Sequence, residues 1–172
     1  MRNKRGQFYL VAAIIIVVIL ASFVVVSNYV RNTQVVKLTE LKEELDIEIE
    51  KFLDYVIINN LAEQDAFDKF NNLSSIYLDK IGSQKNILFL FGDSTNININ
   101  GKNPLTSENL SINYGIGYIE LGESFKKNYA PNQSTILVKE GEEVYSFEML
   151  EGKNFYYLVS RLDEGEKQVI TG

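Results

Sequence analysis

Nineteen consecutive residues, Phe8 to Val26 (FYLVAAIIIVVILASFVVV), carry Ser22 and the Tyr9 phenol as their only polar side-chain groups. At about 1.5 Å per residue a helix of this run spans about 28 Å, close to the roughly 30 Å hydrocarbon core of a bilayer. A buried helix of a soluble protein rarely lacks a polar face over that length, and this run has none. In lipid the backbone groups must be paired within the segment, which makes helix the expected state despite the many Ile and Val. Arg2, Lys4 and Arg5 precede the run without an acid, and the next basic residue is Arg31. The excess of positive charge places the N-terminus in the cytoplasm and everything after about Val30 outside. The run is longer than the h-region of an ordinary cleaved signal, and Ala21-Ser22-Phe23 lies inside it rather than after it.

Glycine and proline divide the rest. None occurs between Gln7 and Ile81, whereas ten of the 11 Gly and both Pro lie from Gly82 onward. Both residues interrupt helices and form turns, so the first half reads as helix and the second as strands and turns. Leu38, Leu41, Leu45, Ile49, Phe52 and Val56 form one apolar stripe with a period near 3.6. Glu40, Lys42, Glu43, Glu44, Asp46, Glu48 and Glu50 lie between them as a solvated face. The spacing predicts one helix from Phe8 to about Ile58, or a membrane helix, a short kink near Asn28–Thr33 and a separate head helix. Asn59-Asn60 is the expected break. A second helix follows over about 63–81, with Phe67, Phe70, Leu73, Tyr77 and Ile81 on one side and Gly82 as its stop.

Beyond Gly82, Asn86-ILFLF-Gly92 reads as a short apolar strand and 96–100 (NININ) as an alternating one, with Asn100-Gly101 as a turn signal. Residues 111–121 form a strand broken at Gly115 and Gly117. Residues 135–139, 143–150 and 155–162 are separated by short Gly-containing links and read as a three-stranded meander. Tyr145 and Phe147 on one strand, and Phe155, Tyr157 and Val159 on the next, would supply its aromatic pairs. The helical stripe is expected to cover the inner face of that sheet, since three strands alone are marginal.

Chemistry is sparse. The chain has no Cys, His or Trp. That removes disulfides, thiolate chemistry, Ser-His triads and the commonest transition-metal ligand. After the leader the balance is 14 basic against 23 acidic residues, which argues against a nucleic-acid partner. Asp93, Asn96, Asn98 and Asn100 suggest a calcium loop, but they include one carboxylate, and Ser107 stands where a Glu would close the loop. A strand with a polar face is the better reading. Gly115-Ile116-Gly117 is too short for a dinucleotide fingerprint and fits a bend. No catalytic residue, metal ligand or cofactor is expected. Asn72, Asn109 and Asn132 open N-glycosylation sequons.

The segment Lys4-Arg5-Gly6-Gln7-Phe8-Tyr9, followed by the aliphatic run, resembles the class III, prepilin-type signal of archaeal type IV pilins and archaellins. It is also similar to the opening of small archaeal single-pass membrane proteins that begin K-R-G-Q-F-Y-L. The resemblance covers about residues 1–30. It implies a peptidase cut after Gly6 on the cytoplasmic side, with Gln7 as the mature N-terminus. Val11 stands where many bacterial pilins carry Glu, and a methanogen Gln-x-Ser-x-Glu pattern is matched at Gln7 alone.

The expected fold is α+β: a long N-terminal helix, its membrane span continuing into an amphipathic helix, then a second helix and an antiparallel β-sheet head. The segments are a basic cytoplasmic leader (1–6), a transmembrane helix (7–30), an extracytoplasmic helical part (31–81) and a β-rich head (82–172). The expected partners are the lipid bilayer and, following the resemblance, further copies in a helical filament or other pilin-like subunits. The expected work is structural or adhesive at the cell surface. The alternative is a non-polymerising, signal-anchored domain that binds a ligand or partner protein. If the leader is processed as the resemblance implies, protein purified from its native membrane has the mass of a chain starting at Gln7. Replacing Gly6 by a bulky residue blocks the cut. An intact wild-type N-terminus in a host that holds the peptidase overturns this expectation.

Overall fold

In a computed structural model of the chain, residues 14–18, 38–81, 85–104, 109–131, 133–163 and 166–172 are described. They belong to two units, 1–41 and 42–172. In the first, residues 14–18 are helical and helix α1 (residues 38–58) begins. The rest of the apolar run and the Asn28–Thr33 joint lie outside the described residues. Among the described residues no helix is long and apolar enough to cross a membrane.

The second unit is richer in strand than expected. After α1 and helix α2 (Glu63–Ile81) come β1 (Lys85–Gly92), β2 (Ile97–Lys102), β3 (Leu110–Asn113), β4 (Tyr118–Glu120) and β5 (Ser124–Tyr129). They are followed by β6 (Thr135–Glu140), β7 (Glu143–Glu148), β8 (Asn154–Asp163) and β9 (Glu166–Thr171). The strands build two antiparallel sheets, ordered β5-β2-β1-β8-β9 and β4-β3-β6-β7. The expected fold, a long apolar N-terminal helix leading to a single head sheet, is therefore corrected. The described chain has a short helical region followed by two sheets.

The reason lies in β1. Ile87 to Phe91 are all at most 1% exposed, so apolar side chains point to both faces of the strand. A strand of that kind needs cover on both sides. On one face Phe91 meets the rings of Phe52, Phe67, Phe70 and Phe155 at centroid distances of 5.1, 5.8, 5.4 and 6.1 Å. This is the helix side. Leu45, Ile49, Phe52 and Val56 of α1 and Phe67, Phe70 and Tyr77 of α2 are buried there. On the other face Leu88 and Leu90 join Ile97, Ile99 and Leu158 against Leu110, Ile112, Ile136, Val138 and Phe147 of the smaller sheet. The unit thus has three layers: helices, five-stranded sheet, four-stranded sheet.

The meander also needs correction. β6 and β7 pair, but β8 lies in the other sheet, beside β1. Its sequence, Phe155-Tyr-Tyr-Leu-Val159, is apolar at both parities and suits the doubly covered sheet. β7 buries Phe147 and exposes its alternate residues, which suits an edge. Phe155 and Tyr157 face the helices, while Phe147 meets Tyr156 across the sheets at 5.4 Å. Asn100-Gly101 is not a turn either. Gly101 lies within β2 opposite Phe125, and a Cβ there would fall 2.4 Å from the Phe125 ring. The glycine leaves room for an aromatic side chain to lie across it. Strands β5 and β9 are not among the elements read from the sequence.

Between the helices, Asn60 takes a positive φ of 45°, and the Asn59 carboxamide donates to the Tyr55 carbonyl at 2.7 Å. Phe91→Ala is expected to cost about 3–5 kcal/mol, because the ring is fully buried among four others. Exposed Glu50→Ala should stay within about 0.5 kcal/mol. Chemical unfolding of the three proteins measures both, and an unmoved midpoint for Phe91→Ala would refute the layering.

Candidate functional site

Of the site residues singled out in the sequence, only Asn72 and Asn109 are described, and they lie on different elements. Lys4, Arg5, Gly6 and Gln7 lie outside the described residues, as does Asn132. Asn72 is exposed on α2, and Asn109 is exposed just before β3 in the smaller sheet. Ser74, the hydroxyl residue of the first sequon, is fully buried; its Oγ donates to the Phe70 carbonyl at 2.9 Å.

The acidic face of α1 is mostly solvated, but two of its carboxylates tie it to neighbours, Glu44 to α2 and Asp46 to β8. Glu44 accepts from Lys80 at 2.6 Å and from the Tyr77 hydroxyl at 3.2 Å. The Lys80 hydrogen bond holds the Glu44 carboxyl below its usual range, while burial and the Glu44 charge push Tyr77 up to about 12. Asp46 accepts from the Tyr157 hydroxyl at 2.6 Å, and Lys42 donates to Asp46 at 3.1 Å and to the Thr171 carbonyl at 2.9 Å. Burial, then the Asp46 hydrogen bond, raises Tyr157 strongly. These contacts fasten α1 to α2, β8 and β9.

Two further clusters resemble chemistry at first sight. Glu140, 1% exposed at the end of β6, accepts from the Asn86 carboxamide and the Ser160 hydroxyl. Its Oε2 faces Lys167 at 3.1 Å as an ion pair rather than a hydrogen bond. Asn86 and Ser160 are as deeply buried, so no substrate reaches them. The cluster joins β6 of one sheet to β1, β8 and β9 of the other. Removing one partner would leave the others buried without it, so the cluster ties the two sheets together. In the sequence Glu140 reads only as a hairpin residue.

Asp93 is the centre of the β1–β2 turn. It accepts from the Thr95 backbone N–H at 2.8 Å, the Thr95 hydroxyl at 2.6 Å, the Asn96 N–H at 3.1 Å and Lys153 at 2.8 Å. Burial works to raise its pKa, but the Lys153 and Thr95 hydrogen bonds outweigh it and hold the carboxyl well below the usual range. Asn98 and Asn100 are not beside it as ligands. They are 6% and 7% exposed on the helix side of β2, where Asn100 donates to Ser74 Oγ at 2.6 Å. The polar face read from NININ is thus covered by α2. Gly115 and Gly117 take φ values of 111° and 110° in the β3–β4 hairpin, and their N–H groups donate to Asn113 Oδ1 at 2.9 and 3.2 Å.

Among the described residues a cleft of about 520 Å³ lies between α2 and the β2–β5 edge. Asn71, Asn72, Ser75 and Asp79 form its helix wall, and Asn100, Lys102, Ser124 and Lys126 its sheet side. Sequence reasoning missed it because β5 was not recognised. The available signal was parity: Asn98, Asn100 and Lys102 alternate on one face, and Ser124, Lys126 and Asn128 do the same. No family model, curated protein or solved structure matches the chain.

The Asp93 pKa is depressed by folding, so its stabilisation is complete above about pH 4 and is lost as pH falls toward the folded value. The stability difference between wild type and Asp93→Asn should therefore be constant above about pH 5 and shrink below about pH 4. Denaturant midpoints across that range give the difference. A gap that does not change with pH contradicts the assignment.

Proposed function

We propose that the chain is a single-pass, membrane-anchored, pilin-like cell-surface protein whose work is structural or adhesive. Residues from about 31 onward form its extracytoplasmic head. The observation that carries the reading is at residues 14–17. Ile14, Ile15, Ile16 and Val17 make one helical turn and are 53–64% exposed in every direction around the axis. A wholly apolar turn this exposed among the described residues suits lipid or apolar neighbours as its surroundings. It sits within the Phe8–Val26 run, directly after a basic leader. The prepilin-type resemblance of Lys4 to Tyr9 supports a place among filament subunits, minor pilins or related surface components. The head suits a surface role: its three layers are held by apolar packing and interlayer polar ties, without disulfides or a metal-ligating cluster among the described residues.

A second reading, an anchored head that binds a ligand and does not polymerise, is favoured by the open polar cleft beside α2.

A membrane-impermeant amine reagent tests the placement. On intact cells it is expected to modify the exposed Lys69 and Lys127. Modification of these lysines only after lysis would overturn the orientation and the surface role together.

A further inference from the structure

The cleft beside α2 differs in charge from the protein around it. The chain carries −6 overall, yet Lys102 and Lys126 stand together on the sheet side of the cleft. Their closeness follows from register. β2 and β5 pair Asn100 with Lys126 and Lys102 with Ser124, so the two lysines are diagonal neighbours on one face. At that spacing their Cβ atoms are about 7–8 Å apart or less, and both ammonium groups can reach a single anion. β5 is an edge strand, and its side chains on this face, Ser124, Lys126 and Asn128, are all exposed. Neither Lys102 nor Lys126 forms an ion pair among the described residues, whereas Lys42, Lys51, Lys80, Lys153 and Lys167 all do.

The wall opposite is rich in neutral hydrogen-bonding groups. Asn71, Asn72 and Ser75 line it, and the Asn71 carboxamide oxygen is buried with no hydrogen-bond partner among the described residues. Asn72 and Ser75 are exposed, so their carboxamide and hydroxyl can donate to and accept from ligand hydroxyls. Asp79 on the same wall adds a carboxylate. That carboxylate accepts from hydroxyls and repels a densely charged polyphosphate. The volume lies within the range of about 300–1,000 Å³ usual for small-molecule sites.

We propose that this cleft binds an acidic sugar residue of a glycan, with its anionic group on Lys102 and Lys126 and its ring hydroxyls on Asn71, Asn72, Ser75 and Asp79. The two cations select the charge. The amides and the carboxylate select a polyol that carries it. The inference concerns the head alone and stands whether or not the chain is anchored or polymerises.

The full-length protein in detergent micelles is titrated calorimetrically with uronate tetrasaccharides, sulfated tetrasaccharides, a neutral tetrasaccharide and inorganic polyphosphate. Binding of a carboxylated or sulfated sugar, with the neutral sugar and polyphosphate at least about tenfold weaker, is the expected result, and the two acidic arms show which anion the site takes. Lys102→Gln and Lys126→Gln should each weaken that binding about tenfold, the loss of one charge-assisted contact. Lys127→Gln serves as the control. It removes the same charge from the next position on β5, on the opposite face, and should leave affinity within about twofold. Thermal midpoints of the variants confirm that each is folded. Equal binding of neutral and acidic sugars, preference for polyphosphate, equal losses from Lys126→Gln and Lys127→Gln, or no binding to any acidic sugar would each overturn the proposal.

Discussion

Ile87-Leu-Phe-Leu-Phe91 puts large apolar side chains alternately on both faces of one strand, and the layers of the head follow from that. Each of these residues buried from water contributes about 1.5–3 kcal/mol. Five of them together rival the net stability of roughly 5–15 kcal/mol expected for a whole domain. Neither face can be left open. The helices close one side through the Phe52, Phe67, Phe70 and Phe91 rings, and the β3–β6 strands close the other through Leu110, Ile112, Ile136 and Val138. β8 is drawn beside β1 because it too is apolar at both parities.

Polar groups then determine how the layers register. Hydrophobic burial is itself nondirectional, and the polar contacts add directional constraints to the packed rings. Lys42, Asp46 and Tyr157 tie α1 to β8, Glu44 with Tyr77 and Lys80 ties α1 to α2, and Ser74 with Asn100 ties α2 to β2. Between the sheets, Glu140 with Asn86 and Ser160 does the same work. The acids of α1 are therefore more than a solubilising face. The cleft is a by-product of this layering. α2 lies over β1 and β2, β5 extends past it, and the helix-side residues of the edge strand stay open to solvent.

Much of the head was legible before any tertiary contact was known. The stripe from Leu45 to Val56, the break at Asn59-Asn60, the helix ending at Ile81, and the strands read at 86–92, 96–100, 135–139 and 143–150 all carry local signals. Periodicity of 3.6 or 2 and the punctuation of Asn and Gly are properties of a few adjacent residues. What failed were judgements about partners. Asn100-Gly101 has turn chemistry, but its glycine serves the Phe125 ring 24 residues later in the chain. Short hairpin-like spacing suggested that β7 and β8 pair, yet the five-residue link 149–153 carries the chain from one sheet to the other. The polar face of β2 gave no sign that it would lie under a helix.

The sequence by itself determined where helix yields to strand, which residues are apolar enough to require burial, and that chemistry based on Cys or His is closed to this chain. Those features depend on side-chain identity and local spacing. Only the tertiary structure decided that two sheets form rather than one, that Glu140 is a buried tie rather than a turn residue, and that Lys102 and Lys126 share a cleft with Asn71 and Asp79. Each of these joins residues far apart in the chain. Their meeting depends on which faces are already covered, and local pattern carries no record of that.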